Sequence, residues 1–89
     1  MKIILVYDVG VERVAKVLSI CRQYLNWLQN SFFEGELTKA ELEKLKFELS
    51  KVIDPTRDSI YIYKFPFLKD FDKEILGKRK TQGERGIFF

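Results

Sequence analysis

Lys2-Ile3-Ile4-Leu5-Val6-Tyr7-Asp8 is an apolar run that ends on a carboxylate. Its Ile, Val and Tyr are strand formers, and the lack of polar alternation predicts a central strand covered on both faces. A helix is expected straight after Val9-Gly10. Asp8 then lies where the strand stops, at a sheet rim that a metal or a phosphodiester can reach. An acid at a strand-to-helix junction also serves to cap the helix or close a turn. At the level of sequence both uses of Asp8 stand open.

Working outward, Val14, Val17, Leu18, Cys21 and Leu25 recur at the spacing of one buried helical stripe. The helix is expected to end near Tyr24. Arg13 and Lys16 lie three apart on its outer face, near the end of the strand that carries Asp8. They are either a phosphate-binding pair or an ordinary solvated face. Leu25 to Leu37 reads as two short strands joined around Asn30-Ser31, with one bent strand as the alternative. Thr38 and Glu41 form a capping box that opens a second helix. Its stripe is Leu42, Leu45, Leu49, Val52 and Ile53, and Asp54-Pro55 is expected to stop it. Phe47 falls off the stripe and is a candidate partner contact. Ser59 to Phe65 alternates Ile60 and Ile62 with Tyr61 and Tyr63, a strand with two different faces that Pro66 ends.

Strand, helix, two strands, helix, strand closes most economically as an α+β, ferredoxin-like βαββαβ fold: a four-stranded antiparallel sheet with both helices on one face. Residues 1–66 make that core, and 67–89 form a C-terminal extension. The apolar pieces of the extension, Ile75-Leu76 and Ile87-Phe88-Phe89, suit strands added to a sheet edge, on this chain or on a second copy at a dimer interface.

The chain has 89 residues, so it is one small domain whose limited core gains from oligomerisation. Thirteen aromatic residues (eight Phe, four Tyr and one Trp) are many for such a core, so some are expected at an interface or under nucleic-acid bases, unless they simply enlarge it. Net charge is +3. The excess is concentrated from Lys64 onward, where seven basic residues face four acidic ones, and is densest at Lys78-Arg79-Lys80. That cluster is a candidate for backbone contacts to nucleic acid, with a solvated tail as its alternative.

There is no histidine, which excludes His-based metal sites, Ser-His triads and His-His ribonuclease chemistry. The lone Cys21 falls on a helix stripe, so a buried, inert thiol is expected. The apolar opening is too short to span a membrane, and no signal peptide is expected. A cytoplasmic location follows from that reading. Hydrolysis would therefore rest on carboxylates and a bound cation. Mg²⁺ binds through one or two carboxylates plus substrate phosphates. One Asp8 per chain is a thin site, and two copies across a two-fold axis make an adequate one. Glu34 and Glu36 offer no clear second ligand.

Three segments taken in order carry a family resemblance: IILVYDV ending at Val9, RVAKVL at Arg13–Leu18 and QNSFFEGEL at Gln29–Leu37. Together with SIYIYKF at Ser59–Phe65 and ILGK at Ile75–Lys78, they resemble the CRISPR-associated protein 2 family over nearly the whole chain. Tyr7-Asp8, Arg13, Gln29, Ser31, Phe33 and Gly35 stand at the family's places, with Phe32 where Val is usual. The resemblance implies a ferredoxin-like homodimer whose C-terminal segment adds a strand across to the other protomer. It also implies a Mg²⁺-dependent endonuclease acting on single-stranded RNA, in some members on duplex DNA. The family's general role is integration of foreign spacer DNA into the CRISPR array. There the dimer bridges two dimers of the integrase CRISPR-associated protein 1. By the same resemblance Asp8 is the catalytic residue and metal ligand, Arg13 a phosphate contact and Phe33 a residue of the site; from their charge, Lys16, Lys78, Arg79 and Lys80 are expected to meet nucleic acid as well. Some members carry further arginines where this chain has Val11 and Trp27, which weighs against nuclease activity more than against a scaffold role.

Overall fold

The computed structural model describes residues 1–65 and 72–77, with the backbone alone for 72 and 73. Within them the order is β1 (Lys2–Asp8), α1 (Val11–Tyr24), β2 (Asn26–Gln29), β3 (Phe32–Glu36), α2 (Lys39–Ser50), β4 (Ser59–Phe65) and β5 (Asp72–Gly77). The strands form one antiparallel sheet in the order β2-β3-β1-β4-β5. The first four are the ferredoxin-like arrangement expected from the element order. The fifth comes from the extension, and it lies on this chain's own β4. The Ile87-Phe88-Phe89 piece and the Lys78-Arg79-Lys80 cluster lie outside the described residues.

Pairing register decides which side chains share a face. Leu5 lies opposite Phe33 and Ile62, and Tyr7 opposite Ile60. These residues pack with Val17 and Cys21 of α1 and Leu42, Leu45 and Leu49 of α2 in one buried core. Both helices therefore cover the same side of the sheet. On the other side Ile4 and Val6 lie opposite Tyr63 and Tyr61, and Phe32 and Ile75 extend the same face. Tyr61 and Tyr63 are buried yet stand outside the helix-side core. No described helix lies on that face, whose centre is apolar and whose two ends carry Lys2, Glu34 and Glu36 on one side and Asp8 on the other.

Local signals account for the element ends. The Leu25 amide donates to the Cys21 carbonyl while Leu25 itself turns extended, which closes α1. Asn30, at φ 45°, makes the tight β2–β3 turn, and its carbonyl accepts the Trp27 indole N–H at 2.8 Å. Thr38 and Glu41 satisfy each other's backbone amides at 3.1 and 2.8 Å, as a capping box does. Regular α2 stops at Ser50, earlier than Asp54-Pro55 suggests. The Ser50 hydroxyl folds back to the Phe47 carbonyl, and the Asp54 amide is drawn away to the Asp58 carboxylate. Val52 and Ile53 still pack on the core. At the far end of the sheet Glu74 of β5 accepts from Lys46 of α2 at 2.8 Å and from Lys64 of β4 at 2.6 Å, joining three elements.

Candidate functional site

Asp8 ends β1 opposite Ser59, the first residue of β4, and its side chain is exposed. By strand alternation it projects on the helix-free side, in line with Ile4 and Val6. The N-cap of α1 is Gly10, and no side chain caps that helix. Capping α1 is thereby removed from the uses open to Asp8, which leaves the turn and the ligand role. Glu34 and Glu36 belong to the opposite end of the sheet, where they meet Lys2 at 3.6 Å and the N-terminal amine at 3.5 Å. Among the described residues no group of three or more His, Cys, Asp or Glu side chains gathers to hold a metal. The described donor set of one chain thus falls short of a cation cage. It fits Mg²⁺, which keeps several waters, when one carboxylate from each of two chains is brought together.

Arg13 has a different neighbour from the one its sequence position suggests. Its Nε and Nη2 grip Oδ2 and Oδ1 of Asp58 at 2.5 and 2.8 Å, a two-point fork. The third nitrogen, Nη1, lies 3.4 Å from Glu12. A cation in the first turn of a helix opposes the helix dipole, so it needs an acid beside it. Asp58 supplies it. That carboxylate is completely buried. It accepts two further bonds, from the Gly10 amide at 2.9 Å and the Asp54 amide at 2.8 Å. Arg13 above all, then these amides, hold Asp58 far below the usual carboxylate range, against the opposing effect of burial. Arg13 in turn is held charged beyond its ordinary range by the same contact.

Phe33 is fully buried and tilts against Tyr7, ring centres 6.0 Å apart. Facing Leu5 in register, it points into the helix-side core and not onto the face that carries Asp8. Lys16 is exposed one turn beyond Arg13. Cys21 is buried, and desolvation pushes its thiol up to about 12, which leaves it an inert core residue. Trp27 and Phe47 are the exposed large aromatics among the described residues, each beneath a cation: Arg22 at 5.5 Å and Lys51 at 4.5 Å.

Asp58 has no counterpart in the sequence reading. Its signal was indirect: an arginine at the wrong end of a helix, and a turn that begins and ends on aspartate, Asp54-Pro55-Thr56-Arg57-Asp58.

The model of the CRISPR associated protein Cas2 family matches residues 1–71. The chain belongs to that family. A Cas2 relative from Thermotoga maritima, named a CRISPR-associated endoribonuclease, is 49% identical over 89 residues, covering 100% of both chains. One of the same name from Pyrococcus furiosus is 52% identical, across 98% of this chain and 100% of the relative. A solved Cas2 crystal structure superposes with a TM-score of 0.72 at 47% identity, covering 91% of each chain. The Streptococcus pyogenes Cas2 structure at pH 6.5 gives 0.66 at 36% identity, over 71% of this chain and 83% of that one. The five-stranded α+β architecture is thus that of Cas2 proteins. No described helix is long and apolar enough to cross a membrane.

Proposed function

We propose that this Cas2 family chain acts as a homodimer in CRISPR spacer acquisition, with a Mg²⁺-dependent endoribonuclease site made by Asp8 of two protomers. The observation that carries this reading is the position of Asp8, an exposed carboxylate at the rim of a sheet face with an apolar centre that no described helix covers. Packing such a face on its own copy hides Ile4, Val6 and Phe32, and a two-fold axis close to the rim sets the two Asp8 carboxylates side by side. Curated relatives of about half identity named endoribonucleases support the activity.

In this reading each Asp8 contributes one oxygen ligand, and Mg²⁺ supplies charge neutralisation at the scissile phosphate. Lys16, with Lys78, Arg79 and Lys80, holds the sugar-phosphate backbone, so little preference among sequences is expected. Partnership with the integrase CRISPR-associated protein 1, bridging two of its dimers on foreign duplex DNA, is part of the same proposal. A cytoplasmic site of action follows from it.

A second reading is a non-catalytic adaptor that holds duplex DNA and bridges the integrase. The engagement of Arg13 by Asp58 and the burial of Phe33 favour it, since both withdraw side chains from a cleavage site. Asp8→Asn separates the two. Cleavage of single-stranded RNA with Mg²⁺ that vanishes in the variant supports the enzyme. Wild-type protein that never cleaves, yet supports integration with or without Asp8, supports the adaptor. Sedimentation of a monomer that still cleaves refutes the paired site.

A further inference from the structure

We propose that Asp58 and Arg13 form a positioning clamp for Asp8, and that Arg13 serves the reaction from within the fold rather than by touching phosphate. This inference rests on the reading of Asp8 as the reacting carboxylate.

Three observations converge on the clamp. The Asp58 carboxylate takes the Gly10 amide, two residues beyond Asp8, so it anchors the turn by which the chain leaves β1. The next residue, Ser59, is the β4 partner of Asp8 itself. Asp8 is thus restrained along the chain through Gly10 and across the sheet through Ser59, and both restraints begin at Asp58. Arg13 closes the arrangement by fixing both Asp58 oxygens from the first turn of α1, while the Asp54 amide holds Oδ2 from the loop before β4. A buried carboxylate satisfied by four donors has little freedom to turn, and a fork of two parallel bonds sets direction as well as distance.

The two possible jobs of Arg13 differ in what lysine can replace. A phosphate contact needs a charge at a point, which lysine supplies. A clamp on a buried carboxylate needs the planar fork, which lysine lacks. A group displaced by about 1 Å costs up to about 100-fold in rate. Arg13→Lys is therefore expected to lower kcat for single-stranded RNA cleavage about 10- to 100-fold, with KM little changed. Asp58→Asn is expected to do the same. Because both act through one contact, the double variant should lose no more than the worse single one. Arg13→Ala should leave the slope of log affinity against log salt unaltered, whereas loss of a phosphate contact lowers it by about one.

The assay is steady-state cleavage of a labelled RNA at varied RNA concentration and across a Mg²⁺ titration, with far-ultraviolet circular dichroism on each variant and Asp8→Asn alongside. A raised Mg²⁺ requirement in Arg13→Lys at unchanged secondary structure is the signature of a displaced ligand, which a merely structural role would not produce. Near wild-type cleavage by Arg13→Lys, losses that multiply in the double variant, or a reduced salt slope in Arg13→Ala overturns the clamp. Should Asp58→Asn not fold, Arg13→Lys decides alone. Cleavage retained by Asp8→Asn overturns the site and the clamp together; cleavage lost there but kept in Arg13→Lys overturns the clamp only.

Discussion

Gly77 offers a direct test of how tightly the end of β5 is fitted to the loop that carries Asp58. It sits at φ +90°, and a Cβ built there would lie 2.1 Å from the Asp58 carbonyl oxygen. That atom is backbone, so it cannot swing aside as a side chain would. A non-glycine residue at positive φ costs about 1–3 kcal/mol, and loosening the Ser59–Gly77 pairing forfeits about 1 kcal/mol more. Against this, alanine restricts the unfolded chain and returns about 0.4–1 kcal/mol. The net expectation for Gly77→Ala is a loss of about 2 kcal/mol, which for a domain of this size lowers Tm by about 8–16 °C. Gly35→Ala is the control. There the new Cβ meets the tip of a flexible side chain, Leu25 Cδ2, at 3.0 Å, and φ is not positive. Its shift should stay within about 1 kcal/mol, as for a volume-tolerant change. Thermal melts by circular dichroism, at matched protein concentration, read both. Equal shifts for the two variants, or a Gly77→Ala change under about 3 °C, would refute the fit described for β5.

Two further outcomes follow from the hydrogen bonding. Asp58 is depressed below its ordinary pKa in the folded chain, chiefly by Arg13, so its stabilisation is present above the unfolded carboxylate value of about 3.9 and fades as pH falls below it. Tm should therefore drop more steeply from about pH 5 downward in the wild type than in Asp58→Asn. Some slope should survive in the variant because Asp54, Glu41 and Glu74 are depressed too; an unchanged acid limb would count against the clamp's electrostatics. Thr38→Ala should cost about 1 kcal/mol by leaving the Glu41 amide uncapped. Denaturant titration should show a lower midpoint at constant m-value, and a midpoint equal to wild type would mean the capping box adds nothing.

Much of the fold was legible because its signals are local. The stripe from Val14 to Leu25, the turn at Asn30-Ser31 and the Thr38–Glu41 box each declare themselves within a few residues. The candidate site was less legible because its decisive partners are distant. Arg13 and Asp58 are 45 positions apart, and nothing in the helix pattern identifies which acid the arginine meets. Phe32 and Phe33 are chemically identical neighbours, and only pairing with Val6 and Leu5 sends one to each side of the sheet. Register is non-local, and a slip of one residue exchanges the faces. The Asp8 side chain was placed correctly at a strand end, since that needed only the apolar run and the glycine after it.

The strand order has a consequence for how the polypeptide acquires its shape. The strand β1 is made before both strands that flank it in the sheet, and these hydrogen-bonding neighbours, β3 and β4, arrive roughly thirty and sixty residues later. Until the second of them emerges, an intensely sticky hexapeptide has one flank open. Closure must then wait for distant segments, a topology that folds slowly for its size. The segment that ends on Asp8 is therefore also the one most in need of protection at birth, and dilution or a holding chaperone should raise the yield of soluble protein.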